Sequence, residues 1–440
     1  MILDFLTDTF FRSWKNSYYL SNEKFVNYSK LELQVTSSCD QNCSYCYYCR
    51  NKILNPPYLA KKSRILKNLD SLLNWLRENN YCPELEIFSG EVLATSLGCE
   101  ILDRLIDFCS LPNSSKTITI PSNFSFILDE EKTERVESLL NKAKEKGVRV
   151  GLSVSIDGKY LDNINRRYVI ESWNKKRDDE FYDRIFAFAK KWRFSFHPMI
   201  YKNGIELWKD NFLWFQEKFK EFDIPWISLY LLEVRNPEWD LDSIKKFYEF
   251  MYFVIQWSIK KLLDLGVPES QLPQATFDLK LFNIFNLFST CGRGIGCSIQ
   301  STMGVRLSDL SVHPCHRLCY PELKNFQFVT NDKGKIVDIE EFNSCLFIAI
   351  NSSNHENFPF CETCTIKEFC SSGCLGANYE YSGEIFLTPP TVCLLEHAKI
   401  GATLEALHDL GVLKYFHRFG RKFESLLVYR KYFSKNKINL

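Results

Sequence analysis

The 440-residue sequence has almost no net charge. It carries 55 lysines and arginines against 54 aspartates and glutamates, which leaves a formal charge of +1 at pH 7. A chain without a basic excess has no overall field that would attract nucleic acid or anionic lipid. Nucleic acid is therefore a poor first candidate for the partner.

The sequence also lacks an apolar run of membrane length. The most apolar helical stretch, residues 250–259, is well short of the ~20 residues that a membrane span requires. The first residues include acidic side chains and no basic start before an apolar run, so no secretory signal is predicted. The sequence shows no internal repeat and no low-complexity tract. We expect a cytoplasmic protein that does not enter a membrane.

Cysteine, in contrast, is abundant, with 17 residues. A chain of this length, with 45% hydrophobic residues, can bury a substantial core without disulfide bonds. In a reducing cytosol, so many cysteines indicate metal ligation. The spacing of the cysteines therefore matters most for the function.

Apolar strand-like runs alternate with helix-period segments from residue 31 to about 264. Strands are predicted at 31–36, 85–88, 117–120, 148–156, 194–200 and 226–232, and helices include 129–146, 179–192, 206–222 and 241–265. Six such βα units imply parallel strands with right-handed crossovers, and hence an α/β fold built as a closed or partly open barrel. Residues 267–278 are predicted to form a linker, and residues 291–393 a loop-rich region.

The predicted domains follow from these changes in pattern. They are an N-terminal extension (1–30), a core barrel (31–240), a bridging helix and linker (241–285), a cysteine-rich domain (286–395) and a helical basic tail (396–440).

Cys39, Cys43 and Cys46 follow the first predicted strand in the spacing CxxxCxxC. A loop at the C-terminal end of a barrel strand is where such folds hold their chemistry. Three closely spaced thiolates leave one iron of a [4Fe–4S] cluster open to an outside ligand. The alternative is a zinc knuckle or a set of buried thiols, since CxxC pairs also bind zinc.

This motif resembles that of the radical S-adenosylmethionine (SAM) superfamily. The resemblance implies that SAM chelates the open iron, and that one electron splits its sulfonium to methionine and a 5′-deoxyadenosyl radical, which abstracts hydrogen from a substrate. Tyr45 occupies the aromatic position that packs near the adenine in this family. Cys49 extends the motif but is interpreted as a spare buried thiol.

Further segments resemble motifs of the same family in the expected order. The segment IFSGE resembles the Gly-Gly-Glu motif that receives the SAM amino group, LSVSIDG resembles the stretch near the ribose, and the arginine after it matches the residue that meets the SAM carboxylate. A serine or Asp-Gly after a strand is also ordinary turn chemistry, so that alternative stays open. The cofactor-binding residues implied by the resemblance, besides Tyr45, are Ser89, Gly90, Glu91, Asn123, Ser153, Ser155, Asp157 and Arg166.

Eight further cysteines follow in the C-terminal part of the chain, which matches the need of two fully ligated [4Fe–4S] clusters; two zinc sites are the alternative. The spacing resembles the SPASM domain of peptide-modifying radical SAM enzymes. The resemblance assigns to a first auxiliary cluster Cys291, Cys297, Cys315 and Cys374, and to a second Cys361, Cys364, Cys370 and Cys393. The cofactors implied are therefore three [4Fe–4S] clusters and SAM. Leu310 stands where the family usually has a glycine, so the turn there is expected to be built differently from one with a positive φ.

SPASM-containing relatives mostly act on peptides. In the sulfatase-maturing group, a catalytic aspartate follows the cysteine that corresponds to Cys315, whereas this chain has His316. This difference favours a maturase that installs a cross-link or a related modification in a ribosomally made precursor peptide. His316 is the candidate catalytic residue, either as a proton acceptor or as a hydrogen-bond donor beside a cluster.

The predicted partners are the precursor peptide and an external electron donor such as flavodoxin or ferredoxin. Only 38 residues precede Cys39, too few for an independent leader-binding domain, so we expect a separate recognition protein or a leader that adds to a strand edge. The basic tail attracts an acidic leader or is simply a solvated helix face. Two alternatives stay open: a sulfatase-maturase-like side-chain dehydrogenase, and an iron–sulfur or zinc scaffold without enzymatic activity.

Overall fold

The computed structural model describes residues 29–35, 38–50, 60–88, 90–278, 298–351, 353–354, 357–367, 370 and 373–419. The strands of these residues are β1 (Lys30–Gln34), β2 (Gln41–Cys43), β3 (Glu84–Phe88), β4 (Thr117–Ser122), β5 (Arg149–Val154), β6 (Arg166–Tyr168), β7 (Ser195–Phe196), β8 (Met199–Ile200), β9 (Leu232–Glu233), β10 (Thr302–Arg306), β11 (Ser311–His313), β12 (Phe326–Thr330) and β13 (Ile336–Glu341). The α-helices are α1 (Tyr47–Arg50), α2 (Lys62–Glu78), α3 (Ser96–Ser110), α4 (Glu130–Glu145), α5 (Asp162–Asn165), α6 (Glu171–Asn174), α7 (Asp179–Trp192), α8 (Trp208–Glu221), α9 (Leu241–Asp264), α10 (Leu272–Asp278), α11 (Ser344–Asn351), α12 (Leu375–Ser382) and α13 (Pro390–Asp409). Within these ranges, no helix combines the length and the apolar composition needed to cross a membrane.

The first four predicted strands are confirmed as β1, β3, β4 and β5, and four predicted helices are confirmed as α4, α7, α8 and α9. Aspartates fix where three of these helices begin. Asp129, Asp178 and Asp240 each accept a hydrogen bond from the backbone N–H three residues later, at 3.2, 3.0 and 2.8 Å. Such N-caps satisfy a donor that the first turn of a helix leaves unpaired.

Several predictions of secondary structure were wrong. The predicted strand 194–200 is two short strands, β7 and β8, separated at a proline that has no N–H to donate. The predicted strand 226–232 begins as a 3₁₀ turn at Trp226–Ser228, after a proline, and only its last residue, Leu232, belongs to a strand, β9. The predicted linker 267–278 contains the helix α10, and the predicted loop-rich region contains strands β10 to β13. In these short stretches the apolar pattern does not distinguish a strand from a helical turn.

The chain divides into two compact units. The first unit contains the described residues of Met1–Asn42, Cys46–Ser153 and Ser298–Ser353, and the second contains those of Cys43–Tyr45, Val154–Cys297 and Asn354–Leu440. The domain boundaries given above remain predictions.

The first unit is built on one sheet, with the strand order β13–β12–β11–β10–β1–β3–β4–β5. β1 lies between β10 and β3 and is parallel to both, and β3 is parallel to β4. From β10 onward, β11, β12 and β13 are paired antiparallel. Helices of the same unit, such as α2 with its buried face of Ile65, Leu69, Leu72 and Leu76, complete an α/β fold, as predicted.

The second unit has an aromatic core and a long helix pair. The ring of Phe196 in β7 lies 4.7 Å from that of Phe186 in α7 and 5.2 Å from that of Phe219 in α8. Helices α9 and α13 pack along each other, and the buried Tyr248 hydroxyl donates a hydrogen bond to the Glu405 carboxylate between them. A buried pair of this kind must be satisfied internally, so it fixes the register of the two helices.

Leu310 lies in the turn between β10 and β11 and has a left-handed backbone, with φ of 63°. The expectation that this turn would be built without a positive φ was wrong. Its N–H donates to the Arg306 carbonyl at 2.7 Å, and its side chain is only 2% exposed. Burial of the leucine offsets the roughly 1–2 kcal/mol that a left-handed L-residue costs.

Two replacements at position 310 separate these opposing contributions. Leu310→Ala is expected to lower the free energy of unfolding by about 3 kcal/mol, because it leaves a cavity and keeps the backbone cost. Leu310→Gly removes the same side chain but relieves the backbone, so it is expected to be about 1 kcal/mol more stable than the alanine variant. Urea denaturation measures both values. A glycine variant less stable than the alanine variant would contradict this explanation.

Candidate functional site

In the first unit, polar side chains meet where β3 and β4 end. Glu91, which is 1% exposed, accepts hydrogen bonds from Ser122 Oγ at 2.9 Å, from the Leu93 N–H at 3.2 Å and from the Asn123 N–H at 2.5 Å. Gly90, just before it, has a φ of 61°, which suits glycine. The structure therefore brings together the predicted residues Glu91 and Asn123. Ser89 lies outside the described residues.

Asp40 is the second acid of this group. Its Oδ1 accepts a hydrogen bond from Asn123 Nδ2 at 2.7 Å, while its Oδ2 is buried and has no hydrogen-bond partner in the described part of the chain. Burial, followed by the charge of Asp40, raises the pKa of Glu91 to about 8. The buried Asp40 Oδ2, which has no partner among the described residues, suits a cationic group of a ligand. The sequence signal for Asp40 was an acid directly after the first cysteine of the CxxxCxxC motif.

His316 lies against β1 in the same unit. Its Nδ1 is 2.7 Å from Glu32 Oε2, and its backbone N–H donates to the same oxygen at 2.8 Å. Burial alone would raise the pKa of Glu32. The charge and the hydrogen bonds of His316 outweigh this effect and hold the pKa of Glu32 below its usual value. Phe88 stacks on the imidazole with 4.0 Å between ring centroids. The orientation of His316 is therefore fixed, and Glu32 is a residue that sequence reasoning missed.

Gly304 allows the chain to reach this position. A β-carbon at 304 would lie 2.8 Å from the carbonyl carbon of Cys315 and 3.1 Å from the backbone nitrogen of His316. Both neighbours are backbone atoms, which cannot move aside as a side chain would. Glycine in β10 thus permits the Cys315–His316 backbone to approach the strand closely.

In the second unit, Asp157 is the centre of a buried cluster. It is 0% exposed and accepts hydrogen bonds from the Tyr45 hydroxyl at 2.8 Å, from Arg166 Nε at 2.9 Å and from the Met199 N–H at 2.9 Å. The Arg166 guanidinium also lies 5.5 Å from the centre of the Tyr45 ring. The structure thus brings together Tyr45, Asp157 and Arg166, and Asp157 orients the other two.

Four predicted cysteine ligands line one cavity in the second unit: Cys361, Cys364, Cys370 and Cys393. Gly373, Glu396 and His397 are also in its wall, and Cys374 is not. All four thiols are free of disulfide bonds. Burial and the neighbouring Cys361 and Cys364 raise the pKa of the Cys393 thiol to about 11.

Comparison with known proteins gives the fold. No family model matches the chain. A segment of 140 residues, 31% of the chain, is 27% identical to the uncharacterized protein MJ0907 of Methanocaldococcus jannaschii and spans 42% of that protein. The solved structure of native anSMEcpe with bound AdoMet superposes with a TM-score of 0.56 at 16% identity, over 88% of this chain and 99% of that one. The structure of Streptococcus suis SuiB bound to precursor peptide SuiA gives 0.50 at 12% identity, over 88% and 81%.

The chain therefore has the fold of the anSMEcpe and SuiB structures. This confirms the fold class predicted from the sequence.

The CxxxCxxC cysteines follow β1 along the chain. Cys39 and Cys46 belong to the first unit and Cys43 to the second, and all three are half-buried. Ser153 lies in β5 and Ser155 just after it, both half-buried. Cys315 is buried in the first unit, and Cys374 precedes α12 in the second. Cys291 and Cys297 lie outside the described residues, so the ligand set of the first auxiliary cluster remains a prediction.

The donor set of the cavity has the number of ligands that a [4Fe–4S] cluster requires, because such a cluster takes four thiolates, one at each corner. Four thiolates are also the ligand set of a zinc ion, which would hold them about 2.3 Å from a single point. Among the described residues, no three His, Cys, Asp or Glu side chains lie close enough together to hold one metal ion.

Proposed function

We propose that this chain is a radical SAM maturase that modifies a ribosomally made precursor peptide. The observation that carries the proposal is the cavity lined by Cys361, Cys364, Cys370 and Cys393, in a chain that also has a CxxxCxxC motif after β1. The three cysteines of the motif leave an open position on a cluster, which suits SAM binding. The four cysteines of the cavity ligate a cluster fully, which suits electron transfer. The fold likeness to SuiB, solved with its precursor peptide, supports a peptide substrate.

The proposed SAM-binding residues include acids for the SAM ammonium group and an arginine for the SAM carboxylate. Cys39, Cys43 and Cys46 hold the cluster that, with SAM bound, supplies the 5′-deoxyadenosyl radical. The acids Glu91 and Asp40 in the first unit attract the SAM ammonium, since the buried Asp40 Oδ2 has no protein partner among the described residues. In the second unit Asp157 holds Arg166, the proposed contact of the SAM carboxylate. Ser153, Ser155 and Tyr45 are proposed contacts of the ribose and adenine.

His316 is the proposed catalytic residue on the substrate side. Glu32 accepts hydrogen bonds from Nδ1 and from the backbone N–H of His316, and these two contacts orient the imidazole for this role. Formation of a cross-link removes one proton and one electron from the peptide after hydrogen abstraction. His316 would accept the proton, and the auxiliary cysteine sets would hold clusters that can take the electron. The cluster held by Cys291, Cys297, Cys315 and Cys374 completes the proposed set of three, with an external flavodoxin or ferredoxin as electron donor.

The test is incubation of the anaerobically reconstituted protein with SAM, a reductant and a precursor peptide encoded beside its gene. A cross-link makes the peptide lighter by about two mass units, because two hydrogens are lost. An epimerised product keeps its mass and gains deuterium from deuterated water. Tandem mass spectrometry locates the modified residue.

The alternatives predict different products. Conversion of a cysteine or serine side chain to formylglycine in a sulfatase peptide would indicate the dehydrogenase activity instead. Bound zinc without iron, and no 5′-deoxyadenosine, would indicate a scaffold. Turnover of a free small molecule while every candidate peptide stays intact would contradict a peptide substrate.

A further inference from the structure

His397 lies in the wall of the cysteine cavity and contacts one of the cysteines. It is on α13, four residues after Cys393, so both side chains project from the same face of the helix. Its Nε2 is 3.6 Å from Cys364 Sγ, within hydrogen-bond distance for sulfur. Helix α13 thus supplies to this cavity both a thiol and an imidazole nitrogen aimed at a second thiol.

The direction of this hydrogen bond follows from the chemistry of a ligand thiolate. A thiolate bound to iron carries no hydrogen, so it can only accept. A hydrogen bond between the two groups therefore requires the proton on Nε2. Contact with the Cys364 thiolate therefore selects the tautomer of His397 that has its proton on Nε2.

A buried ion network holds α13 beside the cavity. Glu396, next to His397, lies 3.1 Å from Arg235 Nη2 and 3.0 Å from Lys399 Nζ, and Glu233 pairs with the same two cations. Arg235 Nη1 also donates to the Gly373 carbonyl at 3.2 Å, in the cavity wall. Removing any one of these charges would leave the network with an uncompensated charge at a largely buried position. His397 therefore projects from a helix whose position relative to the cavity is fixed.

We propose that His397 donates a hydrogen bond to the Cys364 thiolate and thereby raises the reduction potential of the iron–sulfur cluster in this cavity. The inference rests on the proposed function, which puts a cluster there. Reduction adds one electron, part of which lies on the ligand sulfurs, and an N–H donor stabilises that added charge. A cluster that is easier to reduce is a better acceptor for the electron that the peptide radical must lose. The peptide is oxidised by one electron and the cluster is reduced by one.

The experiment is a redox titration of the reconstituted full-length protein, followed by electron paramagnetic resonance. His397→Phe keeps a ring of similar size but removes the N–H. At a fixed potential, the ratio of reduced to oxidised cluster is expected to fall about tenfold, which is 59 mV for a one-electron couple. Only one of the auxiliary signals should shift, and the iron content should not change. His397→Gln keeps a donor and is expected to shift less.

His408→Phe is the matched control, because His408 is on the same helix, exposed, and beside Asp409. It should titrate as the wild type does. A wild-type potential in His397→Phe would overturn the proposal, and so would the loss of about four irons, since His397 would then be a ligand. If His397→Phe does not fold, the proposal requires a smaller shift of the same sign in His397→Gln, and no shift would overturn it. Wild-type protein without iron would overturn the proposed function itself, and this result is distinct from the others.

Discussion

Replacing Cys39, Cys43 and Cys46 together with alanine is expected to abolish formation of 5′-deoxyadenosine and to lower the iron content from about twelve to about eight per chain. Only this set of three thiolates leaves an iron open to SAM, while the other clusters are fully ligated. Iron analysis and chromatography of the nucleoside products, with dithionite as reductant, measure both quantities.

Two variants serve as controls for the triple replacement. Cys82→Ala removes an exposed thiol outside the predicted ligand sets and should leave iron and SAM cleavage unchanged. Cys361→Ala alters the cavity of the second unit and should remove iron while some SAM cleavage persists. If the triple variant still produced 5′-deoxyadenosine, the assignment of this motif as the SAM-cleaving site would be wrong.

The protein without SAM is expected to lose stability as the pH rises from about 4.5 to about 8, by roughly 5 kcal/mol. The cause is Glu91, whose pKa is raised from 4.5 to about 8 by burial and by Asp40. Between these values the folded protein keeps a proton that the unfolded chain has released. The stability linked to this proton is complete below pH 4.5 and is lost as the pH passes through 8.

Glu91→Gln is the direct test, because glutamine is neutral at every pH. In urea denaturation its free energy of unfolding should lack this fall, even though one hydrogen bond to the carboxylate is lost. Glu100→Gln is the matched control, since Glu100 pairs with Lys62 and Arg104 at the surface and its pKa is lowered. It should keep the wild-type dependence. If the free energy of unfolding of Glu91→Gln fell by as much as that of the wild type, another group would be responsible for the pH dependence.

The sequence predicts those helices and strands for which the apolar periodicity and the signals for the ends of the element agree. Helix α7 begins after an aspartate cap and buries one apolar face, and its bounds match the prediction. The pairing of β10 with β1 was not predictable, because no local pattern in Thr302–Arg306 specifies a partner so far away in the chain. The same holds for β11 to β13, which lie in a region expected to be loops.

In the candidate site too, the sequence predicts some residues and misses others. Cysteine spacing identifies the ligands because a cluster demands a fixed number of thiolates, and the four cysteines of the second predicted set do line one cavity. The partners of the site residues were missed: Glu32 beside His316, Asp40 beside Asn123, and His397 beside Cys364. Each pair joins distant segments, and neither Glu32 nor His397 has a signal in its own segment that points to its partner. Only tertiary structure identifies such contacts.

The position of β1 in the middle of its sheet has a consequence for synthesis. Lys30 pairs with Thr302, which is made 272 residues later. At about 5–20 residues per second, the ribosome needs roughly 14–54 s to reach it. Throughout this interval one edge of β1 presents unpaired N–H and C=O groups to any other chain. The yield of folded protein therefore depends on events during translation, before the stability of the finished fold has any effect.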